Sequence, residues 1–234
     1  MVEEKENNKK NIIKSILAII IYFSGSTVLL FILDFLHINL NKLSKTNVFL
    51  IETIYELTIL LIVFFIFKDT IIKNAKIYFK YIKGFMRRYI KYWLISLGIT
   101  YVCNLILFFI TKGIANNEEA VRKLFDINPV IMIILGCVIA PILEELIFRL
   151  SIFKIIGKYK YAFIIVSGLL FGGAHIIGQI KVATDILYII PYSVPGMVFA
   201  YTLYDSNNIC VPISLHFINN SFAFLLQIIV ALGK

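Results

Sequence analysis

Long apolar runs alternate with short polar stretches along this chain. Seven runs, near 15–36, 48–67, 90–111, 129–148, 161–178, 184–204 and 209–231, approach the roughly 20 helical residues that cross a hydrocarbon core of about 30 Å. The fifth is short, and the sixth is interrupted by Pro191 and Pro195. The pattern predicts an all-α polytopic membrane protein of about seven, at most eight, transmembrane helices. Residues 1–10 are polar and charged and read as a mobile tail.

Composition agrees with the pattern and excludes an ordinary soluble domain. Of 234 residues, 60% are hydrophobic and 16% charged, with a mean hydropathy of +0.89. The net charge of +9 would suit nucleic acid, but the cations sort by side of the membrane. Residues 1–15, 68–91, 149–160 and 205–208 carry 16 of the 23 Lys and Arg, so the positive-inside rule places the N-terminus in the cytoplasm. No nucleic-acid partner is expected. The first apolar run lacks a small-residue cleavage motif, so no cleavable signal peptide is expected.

Segment 68–91 interleaves Lys and Arg with Ile, Tyr and Phe and is expected to lie on an anionic leaflet as an amphipathic helix. The polar stretch 112–128 on the other side could cover a site as a loop or short helix. Two regions result: an N-terminal transmembrane region, 1–128, and a core, 129–231, formed by the C-terminal four helices, which holds the candidate catalytic residues described next. Cys103, Cys137 and Cys210 fall within spans at no metal-ligand spacing and read as small apolar residues.

Three apolar spans carry residues that can do chemistry. The segment Pro141-Ile-Leu-Glu-Glu-Leu-Ile-Phe-Arg149 holds two carboxylates and an arginine. An ionisable group inside a membrane is by default a functional-site hypothesis. Neighbouring helical residues point about 100° apart, which assigns Glu144 and Glu145 different tasks. Arg149, four residues after Glu145, can pair with it and leave Glu144 as the freer base. His175 closes Phe171-Gly-Gly-Ala-His175, where Gly172 and Gly173 allow close helix approach, and it could share a water with Glu144. His216 and Asn220 lie on one face and can donate to a developing oxyanion, with Asn219 a rival amide. A base, a water-holder and an oxyanion hole suit water attack on an amide. Glu52 and Glu56 share a face of the second span and would face a water-filled cavity, a basic partner or the headgroups.

These motifs resemble those of the CPBP family of intramembrane proteases, also called Abi proteins, which includes the type 2 CAAX prenyl endopeptidases. The family pattern is E-E-x-x-x-R, F-x-x-x-H and H-x-x-x-N/D. It stands here as Glu144-Glu145-Leu-Ile-Phe-Arg149, Phe171-Gly-Gly-Ala-His175 and His216-Phe-Ile-Asn-Asn220, over roughly residues 129–224. The resemblance implies a helical endopeptidase with a conical cavity opening toward the cytoplasm. It also implies that Glu144 with His175 activates water, that His216 and Asn220 hold the scissile carbonyl, and that Glu145 and Arg149 organise the pocket. Metal is not expected, because the helical H-E-x-x-H spacing is absent. In a metal-dependent alternative Glu144, His175 and His216 would bind a divalent ion such as zinc.

The Ile-, Lys-, Asn- and Phe-rich composition points to a bacterial cytoplasmic membrane as the location. The expected partners are membrane lipids and a hydrophobic or membrane-associated peptide or protein substrate, in bacteriocin immunity or in maturation of exported or signalling peptides. The competing expectation is a non-proteolytic membrane partner or regulator of a sensor kinase or transporter. A transporter, whose broken helices Pro191 and Pro195 could mark, is disfavoured by the lack of an inverted repeat.

Overall fold

The computed structural model describes residues 2–232, with side chains described for 8–229. The helices are α1 (Val2–Phe35), α2 (Lys45–Thr111), α3 (Asn116–Ile127), α4 (Pro129–Ile156), α5 (Lys160–Ile176), α6 (Ile189–Ser206) and α7 (Cys210–Leu232). Short 3-10 turns span Leu40–Lys42 and Ala183–Tyr188, and no strand occurs among the described residues. The chain is an all-α polytopic membrane protein. Among the described residues five helices are long and apolar enough to cross a membrane, and α5 is apolar but shorter. The expected polar tail is helical from Val2, although the side chains of its first seven residues lie outside those described.

The spans read at 48–67 and 90–111 belong to one 67-residue helix, α2. At about 1.5 Å per residue a straight rod of that length would be roughly three membrane cores long. Tyr81 (φ −121°, ψ 19°) interrupts it with a kink. On both sides of the kink α2 meets the α6–α7 turn. Asn74 accepts from Ile209 N (2.7 Å) and its carbonyl accepts from Asn208, while Arg88 (2.8 Å) and Tyr89 (2.6 Å) both reach Asp205. At its two ends, Phe49 packs with Met132 and Phe224, and Leu107 with Ala115 and Tyr188. The helix therefore folds back on itself, and segment 68–91 is its elbow rather than a separate surface helix. All eight elbow cations are exposed.

The ends of the helices sort onto two faces. The elbow, the α6–α7 turn and the α4–α5 turn share one, where Phe153 packs on Tyr204 and Lys160 lies over the Tyr204 ring. The other carries α3 and the α5–α6 connection, with Asn116 donating to the Gln179 carbonyl (2.8 Å) and to Asp185 (2.9 Å). On α3, hydrogen bonding and charge from Lys123, with Lys181 nearby, hold the Glu119 carboxyl below its ordinary range.

Helix α4 is not a uniform α-helix. It begins at Asn128, whose side chain caps Ile131 N (3.1 Å), with Pro129 in its first turn. It widens into π-helix at Leu135–Ile139 and again at Glu145–Ser151. Pro141 explains the first widening: it has no N–H to donate, and its ring crowds the carbonyl four residues back. In a membrane each freed carbonyl needs a partner. Asn220 supplies one to Gly136 O (2.8 Å), Ser167 to Phe148 O (2.6 Å), and Thr100 to Pro191 O (3.3 Å), the carbonyl that Pro195 leaves free in α6.

Helices α5 and α6 meet along glycines. A methyl group on Gly172 would lie 2.7 Å from Ile189 O, and one on Gly196 would lie 3.1 Å from Gly168 Cα. Gly172 permits the close approach together with Gly168 and Gly196, whereas Gly173 faces open space.

Candidate active site

Glu144 and Glu145 lie where the middle α segment of α4 passes into its second π segment. Adjacent carboxylates would diverge around one atom, but an imidazole offers two nitrogens on opposite sides of its ring. His216 of α7 uses both. Its Nδ1 is 2.9 Å from Glu145 Oε1 and its Nε2 is 3.6 Å from Glu144 Oε2. The structure thus brings Glu144 to His216, where the sequence pointed it toward His175. Both ring nitrogens of His216 therefore lie beside carboxylates.

Glu145 and Arg149 are both fully buried, with Arg149 Nε 3.2 Å from Glu145 Oε2. The guanidinium also lies 4.1 Å from the Phe171 ring centroid and 5.6 Å from that of Phe199. Charge pairing and two aromatic faces offset the desolvation of this cation. Phe199 in turn stacks on His216 at 5.0 Å, so Arg149 and the imidazole are held by the same ring.

His175 Nδ1 lies 2.9 Å from the Phe171 carbonyl, which makes Nδ1 the donor and leaves Nε2 with its lone pair in the neutral ring. Tyr192 stacks on the imidazole at 4.7 Å. Asn220 is fixed by its bond to Gly136 O. Asn219 accepts from Trp93 (3.2 Å) and donates to Asn220 (3.2 Å), so it supports Asn220 rather than competing with it. Tyr192, Trp93 and Phe199 had no motif to announce them. Among the described residues, no three of His, Cys, Asp or Glu are grouped to hold a metal ion.

Glu144, His175, His216 and Asn220 line a single cavity of about 530 Å³. Glu52 and Glu56 line it too. A second cavity of about 420 Å³, between α1, α2, α4 and α5, shares Glu56, Ala140 and Glu144 with the first. Outside the long helices, the larger cavity is lined by Ala115, Gln179 and α3 residues from Asn117 to Leu124, and by no residue of the elbow or the α6–α7 turn. It therefore extends toward the α3 face.

Residues 126–222 match the family of Rce1-like type II CAAX prenyl endopeptidases. The chain is also 30% identical over 120 residues to "Putative membrane peptidase YdiL" of Bacillus subtilis (strain 168), an alignment that covers 50% of this chain and 46% of the relative. The chain spans about half the length of this curated relative. No solved structure matches. The matched segment contains the two glutamates, both cavity histidines and Asn220, the residues on which the resemblance to the CPBP family rests.

Proposed function

We propose that this protein is an intramembrane endopeptidase that cleaves a hydrophobic or membrane-associated peptide with water activated by Glu144 and His175. The observation that carries this reading is the convergence of Glu144, His175, His216 and Asn220 on one cavity inside an apolar helical bundle. Glu144 and the His175 Nε2 lone pair are the two proton acceptors available to a water there. Glu145 fixes His216 through Nδ1, which leaves Nε2 beside Glu144 to pass a proton or to donate to a developing oxyanion. Asn220 offers its second amide proton to the same volume. Arg149 holds Glu145 in place, at the distance given above.

The substrate enters from the α3 side. With the N-terminus in the cytoplasm of a bacterial cell, as the exposed elbow cations favour, that side is external. This suits bacteriocin immunity or the processing of an exported peptide.

The test is incubation of the purified protein and its Glu144→Gln variant with membrane peptides, followed by mass spectrometry of the products. Cleavage by the parent alone supports the reading, and equal product from both refutes it. Chelator that abolishes cleavage, with metal restoring it, would replace the glutamate-activated water with a metal-bound one.

A further inference from the structure

The chain carries 23 Lys and Arg against 14 Asp and Glu, yet the two cavities that meet at Glu144 run against that balance. Their walls hold Glu52, Glu56, Glu118 and Glu144, and no Lys or Arg lines either. Glu118 is paired with Arg122 at 2.6 Å. Glu52 and Glu56, four residues apart on one face of α2, have no salt-bridge partner among the described residues. They do not form a separate acidic patch, because they line the same cavity as the candidate catalytic groups.

The rest of the lining fits a side chain that is apolar along its length and charged at its end. Tyr22, Phe23 and Tyr55 wall the smaller cavity, and Phe171, Tyr192 and Phe199 the larger. Aromatic faces accept both the methylene stem and the charge of a lysine or arginine. An acidic segment would instead bring like charges beside four carboxylates. The exposed elbow cations on the opposite face turn a positive peptide away and leave the α3 side as its approach.

We infer that the cavity selects a positively charged apolar peptide segment, with Glu52 and Glu56 as the specificity-determining residues. The inference rests on the proteolytic reading, but its test does not require cleavage. The full chain, as the Glu144→Gln variant in phosphatidylcholine nanodiscs, is titrated against two labelled apolar peptides, one with interspersed lysines and one with glutamines in their place. Fluorescence anisotropy reads the two affinities.

The lysine peptide should bind about tenfold tighter or more, an effect on the scale expected for unpaired, partly desolvated charges. Adding Glu52→Gln and Glu56→Gln should bring the ratio close to one, each single change should lower it partly, and Glu118→Gln should leave it unchanged. A ratio near one in the parent, or one that survives both added changes, overturns the inference. Intact preference without cleavage by the wild-type protein would count against the protease and not against the selection of cationic peptides.

Discussion

Helices α1 and α4 are nearly equal in hydropathy and differ in what surrounds them. In their most apolar windows 17% of α1 is buried against 50% of α4, so one is a lipid-facing wall and the other a core element. Hydropathy reports that a helix can sit in a membrane. It does not report whether lipid or protein touches it. The carboxylates show the same division, since those of α2 stand in a cavity wall while Glu145 of α4 is fully enclosed.

The contrast can be broken by substitution, most sharply at the site. Glu144→Gln should lower kcat/KM for a cleaved peptide at least about 10³-fold while the purified protein keeps its helical content and melting temperature. Arg149→Ala strands the buried Glu145 and should cost about 3–5 kcal/mol, read as a large loss of thermal stability in detergent. Gly172→Val forces a side chain against the α6 backbone and should cost about 1–3 kcal/mol by the same measurement. Ser167→Ala removes the donor to Phe148 O and should cost about 1 kcal/mol. Phe31→Ala on the exposed side of α1 should change stability by less than about 0.5 kcal/mol, and a larger loss would mean that α1 is a core element after all.

Much of this arrangement is legible in the sequence, for reasons that differ by residue. Each apolar run must be a helix, because lipid leaves no other way to satisfy the backbone. The i to i+4 spacing of Glu145 and Arg149 is a local property, and the pair forms. The partner of Glu144 depends on how α7 packs against α4, which no local pattern encodes, and the structure supplies His216. The elbow was hidden because charged residues inside a continuous helix look like a linker. Pro195 signalled irregular helix in α6, whereas the effect of Pro141 on α4 appears only in the structure. Their consequence, carbonyls taken by Asn220 and Thr100 from distant helices, is a tertiary fact.

The second π segment, Glu145–Ser151, is buried at all seven of its positions. A surface helix has a solvent side on which substitutions are nearly free, whereas this stretch has no such side. Mutational tolerance should therefore fall to a continuous minimum across the window instead of oscillating with helical period. A single-residue deletion within it would rotate Arg149 and everything after it relative to Glu144, so insertions and deletions there should be more damaging than any one replacement. The spacing of this motif is in that sense a count of residues the helix must keep, and the wide turn is what makes the count matter.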